Sequence, residues 1–308
     1  MRIILVFIIY FFTGLSVAAE PLYAWVEMGP QSTVIARAIV SKKRSCPLIS
    51  INEISYQMQL RSKADKEFPV HSCEYRIPRN ADNAVIGSQT LALPPKRLQR
   101  IVIIGDTGCR LQDTQVQGCN NPQSWPFAEI AERVSELNPD LVIHVGDYHY
   151  RESPCPTWKK TCKGSPFGYG WKTWEADFFK PAEPLLAVAP WIMVRGNHEI
   201  CSRAAKGWRR FLDPHPLRAT CPDYTEPYAV KIADQRFIIF DSAAASLLVR
   251  PAQIKIYKKQ FQTVNTLAEK KISTWLLLHH PIWALYKTQV GASLSNTASL
   301  QAAIGDGG

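Results

Sequence analysis

The sequence predicts an α/β fold in which a layered α/β domain follows a small β-rich domain. From residue 100 onward, apolar runs alternate with segments of helical periodicity, as in layered α/β proteins. Before residue 95, short β-prone stretches are separated by glycine, proline, serine and asparagine, and no helical period is present. Four of the later apolar runs end in aspartate, asparagine or histidine, which indicates that functional groups gather at strand ends.

The N-terminus has the pattern of a secretory signal peptide. Arg2 precedes an apolar run over residues 3–17, and Ala18 and Ala19 supply small residues for cleavage. We therefore expect residues 1–19 to be removed and the mature chain to be periplasmic or secreted. An uncleaved anchor is the alternative, although this run is shorter than the ~20 residues of a membrane span.

The eight cysteines fit an exported protein, because disulfides form in oxidising compartments. Pairing each cysteine with its nearest neighbour closes four loops that do not cross. These pairs would be Cys46 with Cys73, Cys109 with Cys119, Cys155 with Cys162, and Cys201 with Cys221. A structural zinc site is the competing interpretation, but the Cys-x2-Cys spacing typical of such sites is absent.

The chain is basic, with a formal net charge of +10. Its cations are scattered as short pairs along the sequence, which is typical of a solvated surface rather than of a nucleic-acid site. We therefore expect no nucleic-acid partner. After signal cleavage no segment is long and apolar enough for stable membrane insertion.

The β-rich domain is predicted over residues 20–98, with β-prone stretches at 23–28, 32–40, 48–60 and 73–77. It is followed by a proline-rich connection in which Pro94 and Pro95 cannot take part in a sheet ladder. The second domain is therefore predicted over residues 99–308.

The second domain contains periodic helical segments and continuous apolar strands. The amphipathic pattern predicts helices at residues 126–137 and 251–270, and a shorter one at 295–304. Strands are predicted at 101–104, 141–145, 191–194, 236–240 and 272–278, as in sheets covered on both faces. The segment 148–174 is rich in proline, cysteine and aromatic residues, which predicts a disulfide-tied loop over the strand ends.

Candidate ligands follow four of these strands. They are Asp106 in Gly-Asp-x-Gly, Asp147 and Tyr150 in Gly-Asp-x-x-Tyr, Asn197 and His198 in Gly-Asn-His-Glu, and His279 in Leu-His-His-Pro. A buried carboxylate requires a positive partner, which a metal ion would supply. Carboxylate, amide and imidazole groups together favour iron, manganese or zinc. Taken singly, Asp106 and Asp147 could be turn residues, Tyr150 could be a packed tyrosine, and His280 could replace His279.

The ordered set resembles the calcineurin-like metallophosphoesterases, and Gly-Asp-x-Gly with Gly-Asp-x-x-Tyr is similar to their purple acid phosphatase branch. The resemblance covers residues 100–281. It implies a layered α/β/β/α sandwich that binds two metal ions, iron with iron, zinc or manganese. It also implies an exported phosphohydrolase that acts on phosphomonoesters or phosphodiesters, with a metal-bridging hydroxide attacking phosphorus in line.

The resemblance also implies a role for each candidate residue. Asp106 would bind the first metal, Asp147 would bridge both metals, and Tyr150 would be a phenolate ligand of ferric iron. Asn197 and His279 would bind the second metal. His198 would contact the substrate and protonate the leaving group.

The chain departs from the family pattern after His280, because no Gly-His-x-His segment follows. We therefore expect the sandwich to be incomplete at its C-terminus and each metal to be short of one histidine ligand. The alternative function is that of a truncated, catalytically impaired relative that acts as a non-enzymatic binding protein.

Overall fold

The computed structural model describes residues 20–112, 115–246, 248–269, 272–283, 285–288, 291–294 and 298–305, so the predicted signal peptide lies outside the described residues. The strands are β1 (Tyr23–Gly29), β2 (Thr33–Ser41), β3 (Leu48–Ile51), β4 (Ile54–Gln57), β5 (Gln59–Ser62), β6 (Val70–Ile77), β7 (Ala84–Ile86), β8 (Gln89–Thr90), β9 (Ile101–Ile104), β10 (Leu111–Gln112), β11 (Gln115–Val116), β12 (Leu141–His144), β13 (Pro190–Met193), β14 (Tyr228–Ile232), β15 (Gln235–Ile239), β16 (Ser273–Leu277), β17 (Leu285–Thr288) and β18 (Gly291–Leu294). The helices are α1 (Phe127–Glu136), α2 (Trp171–Trp174), α3 (Lys180–Val188), α4 (Ala205–Phe211), α5 (Pro251–Leu267) and α6 (Ala298–Gly305), and a π-helical turn, Glu175–Phe179, joins α2 to α3. Within the described residues, no helix is long and apolar enough to cross a membrane.

The largest sheet has seven strands in the order β5-β6-β2-β1-β13-β12-β9. Its N-terminal strands pair antiparallel, whereas β1, β13, β12 and β9 run parallel to one another. The parallel pairing of β1 with β13 joins the two predicted domains in one sheet. The sheet thus contains strands from both sides of residue 98, where the sequence predicts a domain boundary. The boundary itself stays a prediction.

The central strands are buried on both faces, which creates the layers. On β12, Val142 packs against α1 and α3, while Leu141 and Ile143 face the second sheet, β14-β15-β16. That second sheet is covered on its far side by α5, where Phe240 stacks on Tyr257 and Phe261. The predicted layered α/β/β/α arrangement is therefore confirmed.

Two expected features differ from the structure. The predicted β-prone stretch 48–60 is divided into β3, β4 and β5. Asn52 and Glu53 form the turn between β3 and β4, with φ values of 47° and 69°, and β5 leaves this sheet to pair with β6. Strands β9 and β16 are not covered on both faces: Ile103 is 50% exposed and Trp275 is 42% exposed. Both strands lie at the edge of their sheets, where fewer neighbouring side chains cover them.

The four predicted disulfides are all present, with S–S distances between 1.98 and 2.02 Å. The Cys109–Cys119 and Cys155–Cys162 bridges pack together with Leu111 in one small apolar cluster. This cluster fixes the β10–β11 hairpin against the loop that follows β12.

Buried arginines tie the N-terminal strands to the end of α4. Arg61 donates to the carbonyl oxygens of Arg209, Asp213 and His215 at distances of 2.7 to 2.9 Å. It also pairs with Glu74, which in turn accepts from Arg37. Carbonyl groups at a helix C-terminus lack partners within the helix, so these arginines satisfy groups that would otherwise be buried without one.

We expect Arg61→Met to lower the free energy of unfolding by about 3 kcal/mol, because it leaves several buried carbonyl groups without a donor and removes one of the two cations that contact Glu74. Urea unfolding monitored by circular dichroism measures the change. Arg76→Met is the matched control, since Arg76 lies on the neighbouring strand β6 and is exposed. Equal losses in the two variants would contradict the structural role of Arg61.

Candidate metal centre

The carboxyl ends of β9, β12 and β13 bring three of the sequence motifs to one edge of the large sheet. Asp106 and Asp147 follow β9 and β12 with φ values of 53° and 60°, in the left-handed region. The two turns are bonded to each other, because Asp106 N–H donates to Gly146 O and Thr107 N–H donates to Asp147 O. Such unusual backbone conformations cost free energy and are frequent at functional sites.

Gly146 permits a close approach between the second and third motifs. Its φ is 104°, and a Cβ atom there would lie 2.7 Å from Gly196 Cα and 2.7 Å from His279 Nδ1. A larger residue would therefore push apart the turns that carry Asp147, Asn197 and His279. The glycine of this motif is required by both backbone conformation and space.

The first donor group consists of Asp106, Asp147 and Tyr150. The Tyr150 hydroxyl lies 2.5 Å from Asp106 Oδ1 and 2.6 Å from Asp147 Oδ2. A phenol has one proton, so it can donate to only one of these acceptors. Burial and the two carboxylates raise the pKa of Tyr150 well above its ordinary value. Three oxygens this close together are the donor set that a cation requires.

The second donor group consists of Asp147, Asn197 and His279. His279 Nδ1 lies 2.9 Å from the carbonyl oxygen of Val145, so it carries the proton and leaves a lone pair on Nε2. Nε2 is 2.9 Å from Asn197 Oδ1 and 3.4 Å from Asp147 Oδ2. Burial alone would lower the pKa of His279, but the Asp147 carboxylate raises it to about 9. A proton or a metal ion at Nε2 would satisfy all three groups.

Asp147 belongs to both donor groups. Its Oδ2 atom faces Tyr150 and His279, and its Oδ1 atom accepts from the N–H of His198 at 2.9 Å. Burial alone would raise the pKa of Asp147, but the hydrogen bond and charge of His279 hold it below the ordinary value. The side chain is 2% exposed, whereas Asp106 is exposed at the mouth of the site.

His198 lies over the first donor group, with its ring centroid 3.9 Å from that of Tyr150. His198 Nδ1 is 3.0 Å from Glu152 Oε1, and Arg203 Nη2 pairs with the same carboxylate oxygen at 2.5 Å. Burial would raise the pKa of Glu152, but the hydrogen bond with His198 and the charge of Arg203 lower it. Glu152 therefore stays ionised and orients the imidazole.

Glu199 is a positioning residue that the sequence did not single out. Its carboxylate accepts four backbone N–H groups: Tyr148 and His149 donate to Oε1, and Asp147 and Gly196 donate to Oε2. All four distances are between 3.0 and 3.2 Å, and the side chain is fully buried. Burial and the charge of Asp147 raise the pKa of Glu199, which the charge of His279 and the hydrogen bonds from the N–H groups of Asp147 and Gly196 partly offset. Its place beside His198 in the third motif was the only local signal.

Asp177 holds the other side of the first donor group and was also missed. From the π-helical turn, its Oδ2 accepts from the N–H of Tyr150 at 2.8 Å, and its Oδ1 accepts from the N–H of Cys109 at 3.0 Å. Arg151 forms an ion pair with the same carboxylate. The only signal in the sequence is an acidic residue directly before Phe178 and Phe179, and its partners Cys109 and Tyr150 lie far away in sequence.

The remaining histidines near the site have other partners. His144 is fully buried, as predicted for a core residue, and its Nε2 lies 2.8 Å from Thr107 Oγ1. Burial lowers the pKa of His144 to about 3, so the ring is neutral. His280 Nδ1 is 2.9 Å from Ser242 O, away from the donor groups. His279 is thus the histidine of its motif that faces Asp147.

The donor chemistry fits metal ions that accept mixed oxygen and nitrogen ligands, such as iron, manganese and zinc. In the described part of the chain no three His, Cys, Asp or Glu side chains are arranged so that they alone could hold a metal ion. Each donor group here combines two such residues with a tyrosine or an asparagine. The sequence-predicted candidates Asp106, Asp147, Tyr150, Asn197, His198 and His279 are all brought together at this edge of the sheet.

Comparisons with known proteins found one matching family model and two solved structures with partial similarity. A family model described as calcineurin-like phosphoesterase matches residues 99–296. A solved structure of PhoD is similar in fold, with a TM-score of 0.50 and 12% identity, and the similarity covers 92% of this chain and 66% of PhoD. A purple acid phosphatase from yellow lupin (Lupinus luteus) seeds aligns with a TM-score of 0.47 and 15% identity over 83% of this chain and 50% of that one. A search of curated proteins found no match.

We expect Glu199→Gln to lower the free energy of unfolding by about 3 kcal/mol, because an amide NH2 group would face two backbone N–H donors. Urea unfolding with a chelator present measures the change without a contribution from bound metal. Glu132→Gln, at an exposed position of α1, is the matched control. A Glu199→Gln protein as stable as this control would show that the four hydrogen bonds do not hold the two turns together.

Proposed function

This chain belongs to the calcineurin-like phosphoesterase family, and we propose that it is an exported, metal-dependent phosphoester hydrolase. The observation that carries the proposal is the Asp147 carboxylate, which is shared by two donor groups. The four disulfides support export, because such bonds persist in oxidising compartments. The Gly-Asp-x-x-Tyr motif, which places Tyr150 beside Asp106, supports the purple acid phosphatase branch.

We assign Asp106, Asp147 and Tyr150 to one metal ion, and Asp147, Asn197 and His279 to a second. Two ions in such a site, when bound, supply positive charge that stabilises the phosphoryl oxygens and lowers the pKa of the attacking water. The phenol of Tyr150 favours iron at the first position, and iron, zinc or manganese suits the second. Val145 O fixes the His279 tautomer that leaves Nε2 free to act as a ligand.

His198 is the proposed general acid. We assign the contact at Nδ1 to a proton shared with Glu152 Oε1, 3.0 Å away, rather than to an N–H of Arg203, whose Nη2 lies 2.7 Å away. In this assignment Nε2 is the atom that delivers a second proton to the leaving oxygen. After that transfer the ring is neutral and its Nδ1–H still points to Glu152. Arg203 neutralises Glu152 and keeps this carboxylate in place. His198 Nε2 lies 3.8 Å from Asp147 Oδ2, so the proton is held at the edge of the donor groups.

The substrate class that this site supports is a phosphomonoester or a phosphodiester of a small molecule. The phosphoryl group would enter beside Asp106, which is the exposed member of the donor groups.

We expect Asp147→Asn to lose bound metal and to hydrolyse 4-nitrophenyl phosphate at least ~100-fold more slowly, because one carboxylate serves both donor groups. Elemental analysis and the steady-state rate measure the two effects. Asp234→Asn, at an exposed position, is the control. Full metal content in Asp147→Asn would contradict the bridging assignment, and a wild-type chain without metal or turnover would favour a non-enzymatic binding protein.

We expect the iron-loaded protein to show a visible tyrosinate-to-iron absorption band that Tyr150→Phe removes. The band arises only if the phenolate binds ferric iron, so it tests Tyr150 independently of catalysis. Tyr169→Phe is the control, since this tyrosine is 37% exposed and contacts His149 instead. A band that persists in Tyr150→Phe would assign the ligand to another tyrosine.

A further inference from the structure

A cleft of about 700 Å³ opens beside the first donor group. Asp106 and Tyr150 form one end of the cleft, the β10–β11 hairpin lines one side, and the beginning of α1 lines the other. Its volume is within the range of small-molecule sites, which is about 300–1,000 Å³. None of the proposed metal or proton-transfer roles requires this space.

The wall formed by Trp125 is held rigidly in place. Its indole N–H donates to the carbonyl oxygen of Thr107 at 2.8 Å, which attaches the ring to the Gly-Asp-x-Gly turn. The guanidinium of Arg151 lies 4.9 Å from the centre of the indole, and Phe127 lies 6.5 Å away at an angle of 52°. A fixed aromatic surface loses little conformational entropy when a ligand packs on it.

The rest of the cleft is apolar on the α1 side and cationic near the donor groups. Ile130, which is 43% exposed, continues the apolar wall from Phe127. Arg110 lies 4.8 Å from the centre of the Tyr150 ring, and its Nη1 donates to Gln115 Oε1 at 3.0 Å. The lining thus combines carboxylate and phenol oxygens, one guanidinium beside Tyr150, and an aromatic wall.

We propose that this cleft binds the alcohol part of the substrate and that the substrate is a phosphoester whose phosphoryl group carries, directly or through a short spacer, a planar ring. The inference rests on the proposed function, because it places the phosphoryl group at Asp106 and Tyr150. The ring packs on Trp125 and Ile130, beside the largely buried Phe127, where aromatic stacking and apolar burial both contribute. Arg110, which lies over the Tyr150 ring, contributes positive charge near the anionic group.

Phosphonates test this proposal without turnover, because their P–C bond is not hydrolysed. We expect the metal-loaded 308-residue chain to bind phenylphosphonate about tenfold more tightly than methylphosphonate in isothermal titration calorimetry. Cyclohexylphosphonate, which has a ring of similar size that is not planar, should bind more weakly than phenylphosphonate. Equal dissociation constants for phenyl- and methylphosphonate would overturn the proposal, and equal values for phenyl- and cyclohexylphosphonate would overturn the preference for a planar ring.

A charge in the cleft should abolish the discrimination. We expect the ratio of the phenyl- and methylphosphonate dissociation constants to fall to about one in Ile130→Glu and to stay near ten in Leu137→Glu. Leu137 follows α1 and is 51% exposed, but it does not line the cleft. The introduced glutamate weakens the binding of both phosphonates by charge repulsion, and this effect cancels in the ratio of their dissociation constants. An unchanged ratio in Ile130→Glu would place the ring elsewhere.

Binding of methylphosphonate distinguishes the cleft proposal from the proposed phosphoester hydrolase function on which it rests. If methylphosphonate binds but the ring adds nothing, the cleft proposal fails while phosphoryl binding at the metal centre stands. If methylphosphonate does not bind, the metal-centre proposal fails, and benzyl alcohol then tests the cleft alone by ligand-observed NMR. Binding that Ile130→Glu removes would retain the cleft, and no binding to the wild-type chain would overturn it.

Discussion

The geometry of the site depends on one buried carboxylate. Glu199 accepts backbone N–H groups from both the turn after β12 and the turn after β13, so two segments about fifty residues apart are held by a single side chain. Because these donors are main-chain groups, the interaction fixes the course of the backbone. Asp147 can then face both donor groups, and His198 can lie over Tyr150. An uncompensated carboxylate would be costly at full burial, and the four donors provide that compensation.

Much of the fold and the candidate ligands could be predicted from local patterns. The continuous apolar runs predict β9 and β12, and parallel strands bring Asp106 and Asp147 to the same edge of the sheet. Nearest-neighbour pairing succeeded for the disulfides because each cysteine finds its partner across a short loop. The pairing of β1 with β13 could not be predicted, since neither strand carries a local sign of its partner. Glu199 and Asp177 could not be predicted for a related reason. They bind backbone N–H groups, and because almost every residue has such a group, the sequence does not mark their partners.

The helical layer also contributes to the site. Asp177 is fully buried, and it lies among Phe178, Phe179 and the other aromatic residues of that layer. Its carboxylate reaches from the π-helical turn to the backbone of Cys109 and Tyr150, so packing on the helical side of the sheet determines where the phenol stands. Gly146 also determines the position of the donor groups, because its lack of a side chain allows the turns to approach closely. Residues of the helical layer and residues of the turns at the strand ends therefore both determine where the donor groups lie.

The Cys109–Cys119 bridge spans the β10–β11 hairpin, whereas Glu199 and Asp147 lie on turns that no disulfide crosses. Different kinds of bond therefore hold the two parts of the site. Reduction would break the covalent closure of the hairpin, whereas the hydrogen bonds that Glu199 accepts involve no disulfide. The cleft wall formed by this hairpin therefore depends on oxidative folding more directly than the turns that carry Asp147 and Asn197 do.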